Sequence, residues 1–98
     1  MRESIIERHL VKRVKEIGGQ VRKVKWIGHR GAPDRLVMLH PRALGPCPWA
    51  DTAIWVELKA TGEKPKPHQV REHARMRALG QRVEVIDSIE GVDALLGI

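Results

Sequence analysis

One cysteine, Cys47, and neither phenylalanine nor tyrosine occur among the 98 residues of this chain. A lone thiol closes no intramolecular disulfide, which excludes a small scaffold held by such bridges. Three Trp are the only aromatic residues, so the core must be aliphatic, built from Val, Ile, Leu and Ala. No apolar run approaches the ~18 residues of a membrane span. The N-terminal stretch MRESIIERHLVKRVKE puts charge into every turn and is no signal peptide. Together these absences predict a soluble protein of a reducing compartment, the cytoplasm, with no membrane association. What is present fits a globular chain: 42% hydrophobic and 31% charged residues. The length suits one domain over residues 1–98, because two would each be too small to build a core.

The charge is basic and unevenly placed. The formal balance is +6, and all eighteen Lys and Arg fall within residues 1–82, beside eight of the twelve acids. The last sixteen residues hold Glu84, Asp87, Glu90 and Asp93 and no base. Such an excess favours a polyanionic partner, and a phosphate backbone is the commonest one.

Periodicity then orders the chain. Ile6, Leu10, Val14 and Ile17 recur at helical spacing over residues 3–17, and Gly18-Gly19 stops that helix. QVRKVKWI (20–27) reads as a first strand, GHRGAP (28–33) as a turn, and RLVML (35–39) as a short buried strand. Residues 41–51 carry three Pro and one Gly and form a loop, long for so small a domain. TAIWVELK (52–59) is a third strand. A helix opens at Pro67 and runs to about Leu79, and RVEVID (82–87) is a fourth strand. Asp87-Ser88-Ile89-Glu90 resembles a capping box before a short last helix. The order is helix, three strands, helix, strand, helix. A strand–helix–strand step places its two strands parallel, while the first three strands can run antiparallel. The expected fold is α/β, a small mixed sheet flanked by helices.

Two acids and a lysine break the apolar pattern. Along strand three, Trp55, Glu57 and Lys59 point one way and Ile54, Val56 and Leu58 the other, so Glu57 and Lys59 stand about 7 Å apart on one face. Asp34 opens strand two directly after a tight turn. If strands two and three are neighbours, Asp34 approaches Glu57, and two adjacent carboxylates repel unless something pairs them. A divalent cation resolves that conflict. Mg²⁺ takes oxygen ligands and is often held by only one or two carboxylates together with a substrate phosphate. Lys59 adds a positive charge where a phosphate oxygen or attacking water would sit.

With these residues in place, GAPDRLVML (31–39), WVELKATGEKPKPHQ (55–69) and GQRVEVIDS (80–88) resemble the PD-(D/E)XK nuclease superfamily. More narrowly, the chain resembles the stand-alone VRR-NUC nucleases found in bacteriophages. The resemblance implies an αβββαβ core of restriction-endonuclease type and Mg²⁺-dependent hydrolysis of DNA phosphodiester bonds, with Mn²⁺ able to substitute. It implies that Asp34 and Glu57 ligate the metal, that the backbone carbonyl of Leu58 completes the shell, and that Lys59 orients or activates the water. It places Gln69 near the metal, fixing water or a ligating side chain. It also asks for a glutamate from the first helix, for which Glu7 is the better match and Glu3, one turn away, the reserve. Stand-alone members of the family act as homodimers and can cut four-way junctions, so the resemblance implies a Holliday-junction resolvase-like homodimer acting on branched DNA, in the host cytoplasm if the gene is phage-borne. The Pro-rich insert is longer than the hairpin the family pattern leads one to expect.

The remaining residues are assigned by surroundings. Arg30 and Arg35 flank the turn, Lys64 and Lys66 precede the second helix, and Arg71 and Arg75 are i,i+4 neighbours on it. These are the expected DNA contacts. His68 and His73 are five apart and read as surface or packing residues. Trp26, Trp49 and Trp55 read as sheet packing or a subunit interface rather than base stacking, and Cys47 lacks a second thiol for a metal site. Two other functions remain open: a non-catalytic basic DNA-binding module, and an enzyme of another kind, such as an RNase or a nuclease subunit that needs a partner.

Overall fold

A computed structural model describes residues 1–41 and 52–97; the Pro-rich segment with Cys47 and Trp49 lies outside the described residues. Seven elements follow in the expected order: α1 (Glu3–Glu16), β1 (Gln20–Lys23), β2 (Arg35–Met38), β3 (Ala53–Leu58), α2 (Pro67–Ala78), β4 (Val83–Ile86) and α3 (Ile89–Leu96). The four strands form one mixed sheet in the order β1-β2-β3-β4. β1–β2 and β2–β3 are antiparallel, and β3–β4, joined through α2, is parallel.

Strand alternation divides the sheet into two unlike faces. On one, Val37, Ile54, Val56, Leu58 and Ile86 pack against Ile6, Leu10 and Val14 of α1 and Val92, Leu95 and Leu96 of α3. Most of these side chains are fully sequestered, so the aliphatic composition is spent on this layer. The other face carries Trp55 and Glu57, and α2 lies against it, with His73 of α2 next to Glu57. Among the described residues no helix is long and apolar enough to cross a membrane.

Two local features depart from the sequence expectation by more than a residue at an element's end. β1 ends at Lys23 and not at Ile27. Beyond it, the Val24 N–H donates to the Asp34 carbonyl at 2.9 Å and the Trp26 indole N–H to the Pro33 carbonyl at 2.8 Å. The β-formers at 24–27 therefore brace the turn before β2 instead of lengthening the ladder. At α3, the Ser88 hydroxyl caps the helix by accepting the Gly91 N–H at 2.9 Å. The reciprocal half of a capping box is missing, because Gly91 occupies the position where an acid or amide side chain would reach back. Asp87 instead ties down the loop after β3: its carbonyl accepts the Thr61 hydroxyl at 2.8 Å.

Candidate active site

The β2–β3 register pairs Arg35 with Val56 and Leu36 with Trp55. Extended by one residue, it sets Asp34 opposite Glu57. Directly opposed residues of an antiparallel pair project from the same face, so the two carboxylates share a side of the sheet. The ladder itself stops at the Arg35–Val56 pair. Beyond it the Pro33 carbonyl accepts the Trp26 indole N–H, and Pro33 has no N–H to offer β3.

Glu57 is 8% exposed. Burial pushes its carboxyl pKa up to about 7; the Lys59 ammonium pulls it down, and Asp34 and then Glu3 push it up again. Lys59 is held in turn. Its Nζ donates to Gln69 Oε1 at 3.0 Å, and the same oxygen accepts the Lys66 backbone N–H at 2.9 Å. Gln69 lies in the first turn of α2, where unpaired backbone N–H groups collect, so one amide oxygen both caps the helix and anchors the lysine.

The Gly31–Asp34 turn is docked on that helix start. Gly31 has φ +88°, and a Cβ there would meet the His68 carbonyl oxygen at 2.7 Å. Only glycine combines this backbone conformation with so close an approach. The turn carrying Asp34 and the helix carrying Gln69 are thereby held together.

Arg35 departs from its expected place. It is 5% exposed, bonds to the Glu7 carboxylate, and lies 2.8 Å from Asp34 Oδ2 through Nη1. Burial works against its charge, but Glu7 and Asp34 outweigh burial and raise its pKa. It is a buried cation bridging α1 and β2, and no DNA contact is assigned to it. The same pairing occupies Glu7, whereas Glu3 is among the charges that act on Glu57. Arg75 also differs from a free phosphate ligand, since its Nε and Nη2 bond Glu72 Oε1 at 3.0 and 2.8 Å. Of the other expected contacts, Arg30, Lys64, Lys66 and Arg71 are exposed. Partial desolvation and then Arg30, Lys66, Arg71 and Lys59 lower the pKa of His68, the residue before Gln69 in α2. On the other side of Asp34, a cavity of about 440 Å³ is lined by Lys23, Lys25, Trp26 and His29 among others. Trp26 packs against Trp55 with ring centroids 5.3 Å apart, a packing role for both.

His73 gains a place that spacing along the helix did not suggest. It is 2% exposed, and its Nε2 lies 3.6 Å from Glu57 Oε1. Burial and then Arg77 lower its pKa, which favours the neutral ring. The available signal was Gln69-x-x-x-His73, which sets His73 one turn after Gln69 on the same helix face.

Among the described residues no cluster of three or more His, Cys, Asp or Glu forms a metal cage by itself. The donor set still fits a hard divalent cation: two opposed carboxylates, one of them with an elevated pKa, next to the backbone carbonyl of Leu58 at the end of β3. Mg²⁺ is commonly bound by such a sparse protein shell, completed by water and phosphate.

No family model matches the sequence. The chain is 50% identical over 88 residues to a protein of Acyrthosiphon pisum secondary endosymbiont phage 1 named "Putative nuclease p44", covering 90% of this chain and 85% of that one. A solved structure described as a "VRR_NUC domain" superposes with a TM-score of 0.78 at 38% identity, over 97% of this chain and 94% of the other.

Proposed function

Since the chain belongs to the VRR-NUC family of nucleases, we propose that it is a divalent-metal-dependent endonuclease that hydrolyses phosphodiester bonds in branched DNA. The observation that carries this reading is the opposition of Asp34 and Glu57 with Lys59 anchored beside them by Gln69. Asp34, Glu57 and the Leu58 carbonyl would hold Mg²⁺, or Mn²⁺ in its place. When bound, the ion lowers the pKa of a water and withdraws charge from the phosphate. Lys59 keeps a positive charge beside the carboxylates and stabilises the negative charge that develops on the phosphate oxygens. Gln69 prevents that ammonium from collapsing onto Glu57. Glu3 supplies the helix-1 carboxylate, because Glu7 is committed to Arg35. Arg30, Lys64, Lys66 and Arg71 lead the phosphate backbone to the site, and such contacts position DNA without reading its sequence.

The chain works as a homodimer on four-way junctions, where two sites related by a two-fold axis suit symmetric cleavage. Light scattering across a range of protein concentrations tests the dimer, and a constant monomer mass excludes it. For the activity, purified protein is incubated with labelled four-way junction, flap, duplex and single-stranded DNA, with and without Mg²⁺ or Mn²⁺. Cleavage that needs metal and is lost in Glu57→Ala while DNA binding persists supports the endonuclease. Binding without cleavage under any metal leaves a DNA-binding module or a subunit awaiting its partner.

A further inference from the structure

His73 is a buried polar group whose bonding is incomplete. Among the described residues its Nε2 has no hydrogen-bond partner, and the Glu57 Oε1 lies at 3.6 Å, about half an ångström beyond the range of an N–H···O bond. Packing alone does not account for an imidazole here, because an aliphatic side chain of similar size would fill the space without leaving a polar atom unmatched. The element that carries His73 also carries Gln69, so α2 presents a group to each functional side chain at the end of β3: Gln69 to Lys59 and His73 to Glu57.

We infer that His73 is a positioning residue for Glu57, donating its Nε2–H to Oε1 when that carboxylate holds a bound cation. The inference rests on the metal site proposed above. Hydrogen bonds to an ionised acceptor are short, and loose contacts in ligand-free sites commonly tighten once the ligand is bound, so the 3.6 Å separation closes when the cation is held. Anchoring Oε1 fixes the rotation of the carboxylate and leaves its second oxygen for the ion. Outer-shell donors of this kind set metal affinity as well as rate.

The test is Mn²⁺ binding, by calorimetry at constant pH, to the full chain and to His73→Leu, His73→Gln and Glu57→Ala, with the thermal midpoint of each metal-free protein. His73→Leu should weaken Mn²⁺ affinity about tenfold or more while the metal-free midpoint stays level or rises, since an unmatched polar atom has been removed. A structural role alone would not separate those two readouts. His73→Gln, which keeps an N–H at similar reach, should recover most of the affinity. Unchanged Mn²⁺ affinity in His73→Leu, or affinity lost only in step with the metal-free midpoint, overturns the inference. No Mn²⁺ binding by the unmodified chain, or equal binding by Glu57→Ala, brings down the metal site itself and the role of His73 with it. Should His73→Leu not fold, the unmodified chain decides: long-range ¹H–¹⁵N correlation should show the Nε2–H tautomer of His73 and a shift of that proton upon adding Mg²⁺. An Nδ1–H tautomer, or a proton that Mg²⁺ leaves unmoved, overturns it.

Discussion

Lys59 is tethered to Gln69 by a 3.0 Å bond to an amide oxygen that also accepts the Lys66 N–H. One side chain thus joins the end of β3 to the start of α2. Gln69→Ala releases the ammonium to pair with Glu57 and leaves the Lys66 N–H without its acceptor. We expect kcat to fall about tenfold or more and unfolding free energy to drop by about 0.5–1.5 kcal/mol, with DNA affinity unchanged. Steady-state kinetics, urea denaturation and a binding isotherm measured without metal check the three parts separately.

Gly31→Ala should act at a distance from the chemistry. Its φ of +88° and the 2.7 Å approach to the His68 carbonyl leave an added methyl no room. The obstacle is backbone at a helix start, which a rotamer change does not relieve. A loss of about 1–3 kcal/mol is expected, read as a lower urea midpoint. Because the turn is pushed off α2, junction cleavage should fall even at temperatures where the variant remains folded.

Acidity at Glu57 sets two opposite pH trends. Its folded pKa is raised from 4.5 to about 7, so between those values the metal-free folded chain holds a proton that the unfolded chain has lost. Linkage then makes this group's contribution to stability fall as pH rises from about 4.5 to about 7. Glu57→Gln should abolish that component, so the difference between the two urea midpoints narrows toward low pH. Metal affinity should run the other way. In the proposed site ionised Glu57 is the ligand, so Mn²⁺ binding should strengthen up to about pH 7 and release a proton below it, a release that calorimetry in buffers of different ionisation enthalpy measures directly.

Arg35 and Arg71 should separate stability from DNA binding. Arg35→Ala strands the carboxylates of Glu7 and Asp34, which are 33% and 58% exposed and so regain some hydration. The expected loss is about 1–3 kcal/mol in urea denaturation. Arg71→Ala, on an exposed surface, should leave the denaturation curve in place, weaken junction binding, and lower the slope of log affinity against log salt by about one.

Much of this arrangement was legible because strand alternation is rigid. Glu57 and Lys59 had to share a face opposite to Val56, and an acid opening β2 had to meet them once β2 and β3 paired. The same parity placed Arg35 on the side of Val37, which is fully buried; counting charge without following parity put it on the DNA surface. Glu7 was harder. Two glutamates one turn apart on a helix are equivalent until the helix is docked, and only the docked α1 shows which of them reaches Arg35. His73 was missed for a related reason. Its spacing was compared with another histidine on its own helix, whereas the group it meets comes from β3, and no local period reports a contact between elements. The end of β1 was lost to local preference: residues 24–27 have strand composition, but their donors serve the Asp34 turn.

Pro33 carries a last consequence. A paired strand ordinarily exhausts its inward oxygens on its neighbour, and any ion must then compete with hydrogen bonds already made. An imino acid just before β2 has no N–H with which to enter that competition, and the zipper of β2 and β3 stops at Arg35 and Val56. That much of the sheet's mouth is written into the covalent chain itself.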